Sequence, residues 1–72
     1  MKPTRVENRI RALRFAHGEM TQAELAERIG VTRQTVIAIE QGKYSPSLEV
    51  AFQIARVFGA PLDDVFQYPS ES

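Results

Sequence analysis

The side chains that most often carry catalysis or bind metals are few in this sequence and stand apart from one another. His17 is the single histidine, and the 72 residues include no cysteine. Metal sites and thiol chemistry need such groups clustered at defined spacing, so no metal and no cofactor are expected. Asp63 and Asp64 suit the first turn of a helix, where the helix dipole favours negative charge. We therefore expect no catalytic residue and predict that the protein is not an enzyme.

Charge is distributed unevenly along the chain, although nine Lys and Arg balance nine Asp and Glu overall. Residues 1–45 hold eight Lys and Arg against five Glu, a net +3, whereas residues 46–72 hold one Arg against four acids, a net −3. One half could therefore face a polyanion while the other faces elsewhere. Charges scattered over solvent-facing helices would give the same count, so both interpretations stay open.

The length predicts a single domain over residues 1–72 with a small core. A chain of this size buries only about 60% of the surface that its unfolded form exposes, so it would gain from a second subunit. The sequence opens on charged residues and lacks a long apolar run, which predicts neither a signal peptide nor a membrane span. We expect a cytoplasmic protein, in keeping with the absence of cysteine.

Apolar residues recur at helical spacing throughout, and no segment alternates strictly enough to predict a half-buried strand. A first helix is predicted over residues 6–17, closed by Gly18. A capping box at Thr21 begins the second helix, and Gly30 ends it. Thr32 caps a third helix after a turn of only a few residues. The residues expected to face the core from these helices are Ile10, Leu13, Ala16, Leu25, Ala26, Ile29, Val36 and Ile39.

The fourth predicted helix, Leu48–Phe58, is capped by Ser47 and is apolar on two faces. A helix of this kind packs on two sides, so its second stripe should meet another part of the domain or a partner subunit. A short fifth helix is predicted over Pro61–Phe66, before a tail at residues 67–72. The stripe expected to face the core is Leu48, Ala51, Phe52, Ala55 and Phe58, and the second stripe is Val50, Ile54 and Val57.

The segment from Thr21 to Lys43 resembles the helix-turn-helix of the Cro and lambda-repressor superfamily, called XRE-type. The likeness covers about residues 6–66 and is greatest to small stand-alone members such as the cytolysin repressor, whose fifth helix also runs into a Phe-Gln-aromatic tail. It implies an all-α domain of five helices with the helix-turn-helix at residues 21–40. The matching residues are Gln22, Leu25-Ala26, Ile29-Gly30-Val31, Thr32-Arg33-Gln34-Thr35-Val36, Ile39-Glu40, Gly42-Lys43 and Pro46-Ser47-Leu48.

The resemblance also implies double-stranded DNA as partner, with the third helix in the major groove. Arg33 and Gln34 could form bidentate pairs with guanine and adenine, or could lie on phosphate instead. Ile37 could contact a thymine methyl group or pack near Tyr44. Arg14 and Glu40 match a structural pair that ties the first helix to the third. The expected base contacts are Arg33, Gln34, Ile37 and Ala38, and the expected phosphate contacts are Gln22, Thr32, Thr35, Lys43 and Tyr44.

A homodimer is expected through the C-terminal part of the chain. The small core and the second stripe of the fourth helix both favour a partner subunit. The resemblance adds that the tail could pair as a short strand with residues 4–6 at the interface, where Pro69 would end it. The residues expected there are Val50, Ile54, Val57, Val65, Phe66 and Tyr68.

These features together predict a sequence-specific transcriptional repressor that binds an inverted-repeat operator as a homodimer. Two other roles stay open at this point. An antitoxin or phage-type control protein would have the same DNA-binding helix-turn-helix, since these roles differ in gene context. A helical protein–protein interaction module would use the third helix on a protein, and its binding would depend less on salt.

Overall fold

Five helices and one short pair of strands make up residues 4–69, the part of the chain that the computed structural model describes. The predicted five-helix fold is therefore confirmed, with a small strand pair added to it. In chain order the elements are β1 (Glu7–Asn8), α1 (Ile10–Ala16), α2 (Gln22–Ile29), α3 (Arg33–Glu40), α4 (Leu48–Phe58), α5 (Leu62–Val65) and β2 (Phe66–Gln67).

Side-chain caps fix where the three longest helices begin, as predicted. Thr21 accepts the Glu24 backbone N–H at 3.0 Å, and the Glu24 carboxylate accepts the Thr21 N–H at 3.1 Å, which completes the capping box. Thr32 and Ser47 cap α3 and α4 in the same way, without the reciprocal bond. Gly30 ends α2 at φ 73°, a left-handed conformation that costs glycine little, so the chain can turn at once into α3.

The core forms where α2 packs on α3 and α4, and where α4 packs on α5. Every helix contributes at least one buried apolar side chain to it, so tertiary packing supports each of them. The buried apolar residues are Ile10, Met20, Leu25, Ala26, Ile29, Val36, Ile39, Ala51, Ile54, Ala55, Phe58 and Val65.

The first helix is shorter than predicted, because the residues before it form a strand. α1 begins at Ile10, whereas Glu7 lies opposite Gln67 and Asn8 lies opposite Phe66 in an antiparallel pair within one chain. The tail therefore pairs with Glu7–Asn8, directly after the expected 4–6 segment. Ala16 was also predicted wrongly, since it is exposed.

The prediction of two apolar faces on α4 was wrong in its assignment of residues. Ile54 is only 1% exposed, because Ala51, Ile54, Ala55 and Phe58 follow the spacing i, i+3, i+4, i+7 and form one buried stripe. Ile54 therefore cannot serve a dimer interface. The residues left outside the core are Leu48 and Phe52, 66% and 50% exposed, with Val50 and Val57 half-buried at the edge of the stripe.

Val65 also differs from its expected role at an interface. Its side chain is fully buried in the core, at the end of α5, and its carbonyl accepts the Arg9 N–H at 2.9 Å. The last residues of the predicted tail, 70–72, lie outside the described part of the chain. None of the helices within residues 4–69 has the length and apolar character that crossing a lipid bilayer requires.

Candidate nucleic-acid interface

The first turn of α3 presents polar side chains to solvent beside the turn from α2. Arg33 and Gln34 are exposed, next to the exposed cap Thr32. The Thr32 hydroxyl accepts the Thr35 N–H at 3.2 Å and lies 3.0 Å from the Thr35 hydroxyl. The guanidinium of Arg33 and the amide of Gln34 can each make two parallel hydrogen bonds to one planar partner.

Ile37 and Ala38 continue this surface along α3 but are half-buried. Val36 and Ile39, on the opposite side of the helix, are 1% and 2% exposed and hold α3 to the core. The outer face of α3 is therefore polar at its start and apolar in its middle. Apolar side chains there can meet a methyl group, whereas they add nothing to a purely ionic contact.

The C-terminal end of α3 is held by an ion pair between Glu40 and Arg14 of α1. Arg14 Nε donates to Glu40 Oε2 at 2.6 Å and Nη2 donates to Oε1 at 3.1 Å, with each side chain only 8% exposed. Arg14 Nη1 also donates to the Met20 carbonyl at 2.9 Å. Gln22 Nε2, at the start of α2, donates to Glu40 Oε1 at 3.3 Å. Glu40 therefore joins α1, α2 and α3 at one point.

An open depression brings the start of α2 and the start of α3 together. Thr21, Gln22 and Arg33 line it, so a residue expected on phosphate and one expected on a base edge share one surface. Arg11 and Phe15 of α1 form another wall, with the Arg11 guanidinium carbon 5.6 Å from the Phe15 ring centre. Three guanidinium groups, of Arg11, Arg14 and Arg33, line this depression against the carboxylates of Glu19 and Glu40, and Glu40 is paired with Arg14. The excess of positive charge and the start of α2 suit an anion there.

Of the other residues expected to bind phosphate, two lie in the loop that follows α3 and one lies near the start of α3. Lys43 is exposed and Tyr44 is half-buried against the core, while Thr35 is half-buried near the start of α3. Positive and hydrogen-bonding groups therefore flank the outer face of α3 at both ends. Across residues 4–69, no group of three or more His, Cys, Asp or Glu could hold a metal ion.

Of the residues expected at a dimer interface, four remain accessible and two do not. Val50, Val57 and Phe66 are half-buried, and Tyr68 is 64% exposed. Arg5 lies over the Tyr68 ring, 5.7 Å from its centre, so the N-terminal segment and the tail share this surface.

Sequence reasoning missed Asn8, whose side chain donates to the Ile39 carbonyl at 2.9 Å across 31 positions of sequence. The local signal was an Asn two residues before a helix start, because Asn accepts backbone N–H groups in Asx turns. Asn8 does accept the Ile10 N–H at 3.2 Å. Its contact with the end of α3 has no local signal.

Comparisons with known proteins agree with this geometry. The family model described as helix-turn-helix matches residues 10–65. An uncharacterized HTH-type transcriptional regulator of Methanocaldococcus jannaschii is 47% identical over 66 residues, covering 92% of this chain and 98% of its own. The cryptic phage CTXphi transcriptional repressor RstR of Vibrio cholerae is 36% identical, covering 81% of this chain and 51% of its own.

A solved structure shows the same fold at low sequence similarity. A crystal structure of a Bacteroides fragilis protein described as DNA-binding superimposes with a TM-score of 0.74 at 24% identity, covering 86% of this chain and 98% of the other. Its identity is too low to show more than fold. The family match and the curated relatives, which are transcriptional regulators rather than enzymes, show that this chain belongs to the XRE-type helix-turn-helix family of DNA-binding regulators.

Proposed function

We propose that this protein is a sequence-specific transcriptional repressor that binds an inverted-repeat operator as a homodimer, with α3 of each subunit in the major groove. The observation that carries the proposal is the exposure of Arg33 and Gln34 on a helix whose far end is held by a buried ion pair. A fixed helix can present bidentate groups to base edges at a constant position. Such a protein acts in the cytoplasm, on double-stranded DNA.

Phosphate contacts in this proposal surround the recognition helix. Thr32 and Thr35 lie at the start of α3, and Lys43 and Tyr44 follow its end. Gln22 lies at the start of α2, where its amide contacts Glu40 in the last turn of α3. These groups would position the domain without reading sequence, because every base pair presents the same phosphates. Ile37 and Ala38 would read apolar base edges in the middle of the helix.

Selecting bound sites from random DNA tests the proposal directly. A two-fold dimer places its two recognition helices about 34 Å apart, so the selected site should be an inverted repeat with half-site centres about ten base pairs apart. Binding should also weaken steeply with salt, since phosphate contacts release counterions. Selection of no common sequence, or salt-independent binding, would favour a protein-binding module instead.

A phage-type control protein is a second candidate role, favoured by the likeness to the phage repressor RstR. It uses the same dimer and the same operator geometry. The two roles are distinguished by the genes that adjoin the selected site in the genome, rather than by binding itself.

Arg33→Ala and Gln34→Ala should relax sequence preference more than they weaken binding to bulk DNA. Each variant loses at most one bidentate contact with a base, worth about 1–3 kcal/mol of discrimination against the wrong base. Lys43→Ala is the matched comparison, expected to weaken all DNA binding alike and to reduce the salt slope by about one. Titration of the selected site and of a scrambled duplex measures both effects. Equal losses on the two duplexes in all three variants would show that the base readers are assigned wrongly.

Ile37 is tested by replacing thymine with uracil at each position of the selected site. Only the methyl group is removed, so a contact should cost about four-fold in affinity, as expected for burying roughly one methyl group. The same replacement should cost nothing further in Ile37→Ala. If both proteins lose affinity equally, Ile37 does not contact the methyl group and serves only in packing.

A further inference from the structure

Asn8 uses both ends of its side-chain amide to join elements that are distant in sequence. Its Nδ2 donates to the carbonyl of Ile39 in the last turn of α3, at 2.9 Å. Its Oδ1 accepts the N–H of Ile10 at the start of α1, at 3.2 Å. The side-chain amide supplies a donor in one direction and an acceptor in the other. The side chain therefore links the beginning of α1 to the end of α3.

The backbone around Asn8 adds the C-terminal strand to this link. Asn8 is the register partner of Phe66 in the β1–β2 pair, and the next residue, Arg9, donates its N–H to the Val65 carbonyl at 2.9 Å. The position of β2 thus sets the position of Asn8 through backbone hydrogen bonds. Asn8 in turn contacts the backbone of α3.

The contact with α3 is additional to the bonds that the helix end already has. The Ile39 carbonyl also accepts the Gly42 N–H at 3.0 Å, so it keeps a partner if Asn8 is changed. A carbonyl oxygen has two lone pairs, and Asn8 takes the second. Loss of the Asn8 donor should therefore leave the last turn of α3 intact and change how firmly it is held against β1.

We propose that Asn8 is a positioning residue for DNA recognition, which fixes the end of α3 relative to the C-terminal strand. It touches no DNA and acts through α3. This inference rests on the proposed function, since it assumes that α3 reads DNA. It assigns to β1 a part in sequence preference. It also connects the tail, which lies at the proposed dimer surface, to the recognition helix α3.

Glu40 does not make Asn8 redundant, because the two residues hold α3 from different elements. Glu40 is bound by Arg14 and Gln22 from α1 and α2, whereas Asn8 approaches from β1. Two independent attachments near one helix end restrict its rotation as well as its distance from the core. Removing one attachment should let the end of α3 move more freely without unfolding the domain.

Asn8→Asp separates the two functions of the amide. A carboxylate still accepts the Ile10 N–H, and its charge suits the start of α1, so the stability of α1 is retained. It has no donor for the Ile39 carbonyl, which it would repel. Asn8→Ser is the second variant, since a hydroxyl can accept from Ile10 but is too short to span the distance to Ile39. Glu7→Ala, the exposed neighbour on the same strand, is the matched control.

The test uses the full chain, titrated against the selected operator and against a scrambled duplex of equal length. For Asn8→Asp we expect the ratio of specific to non-specific affinity to fall about ten-fold, the order of one lost bidentate base contact. The added negative charge should weaken binding to both duplexes alike, so it does not change their ratio. Amide hydrogen exchange of the last turn of α3, measured without DNA, should become faster. Glu7→Ala should match the wild type in both measurements.

Each outcome decides one question. If the wild type prefers no sequence, the proposed function fails and this inference fails with it. If the wild type shows a preference and Asn8→Asp keeps the same ratio, the positioning role alone is wrong, even where hydrogen exchange changes. If Asn8→Asp does not fold, Asn8→Ser decides by the same two measurements, and an unchanged ratio again overturns the proposal.

Discussion

Glu40→Ala should destabilise the fold by about 3–5 kcal/mol, the range for removing one partner of a buried ion pair. Both side chains of the pair are 8% exposed, and the substitution leaves the Arg14 guanidinium buried beside the Met20 carbonyl and the Phe15 ring. A 72-residue domain has a total folding free energy of only about 4–11 kcal/mol. The variant should therefore lie close to the limit of folding. Urea denaturation at one fixed protein concentration measures the change, because the stability of the proposed dimer would depend on concentration.

A double variant and a surface control test whether the loss of stability comes from leaving one buried charge unpaired. Arg14→Met combined with Glu40→Leu removes both charges and should recover most of the lost free energy, since no unpaired charge stays buried. Glu27→Ala, on the exposed face of α2, should change stability by no more than about 0.5 kcal/mol. An unfolding midpoint for Glu40→Ala equal to that of Glu27→Ala would mean that the pair does not hold α3 in place.

The elements of this fold that could be predicted are those whose signals are local. Thr21, Thr32 and Ser47 accept backbone N–H groups three residues ahead, so the starts of α2, α3 and α4 are determined within one turn of sequence. Gly30 marks the end of α2 for a similar reason. The outer residues of α3 followed from those boundaries, together with the family resemblance.

Features that depend on distant partners could not be predicted from pattern. Nearly every turn of α4 carries apolar side chains, so periodicity could not decide whether Ile54 or Leu48 faces the core, and the contact with α2 and α5 decided it. β1 and β2 are two residues each, too short to show alternation. The hydrogen bond from Asn8 to Ile39 joins positions 31 residues apart, and the sequence near either residue does not indicate the contact.

Val57→Glu should convert the proposed homodimer into a monomer and lower affinity for the full operator by about 10²–10⁴-fold, the advantage gained when two linked modules bind together. Val57 is half-buried at the edge of the α4 stripe, on the apolar surface proposed to meet the partner subunit. A carboxylate there would have to lose its water on dimerisation without gaining a partner, which is costly. Affinity for a single half-site should not change. Sedimentation velocity at micromolar concentration gives the oligomeric state, and titration of full and half operators gives the affinities.

A point substitution tests this interface better than truncation, because a chain cut after Asp64 would lose Val65 from the core and would unfold for that reason. Ala12→Glu on the exposed face of α1 is the control, with the same added charge and no expected effect on dimerisation. Tyr68→Glu repeats the test at a side chain that is 64% exposed, where folding is not at risk. If Val57→Glu and Tyr68→Glu both sediment as dimers and bind the full operator as tightly as Ala12→Glu, the subunits meet elsewhere. The exposed Leu48 and Phe52 of α4 would then be the next surface to test by the same substitution.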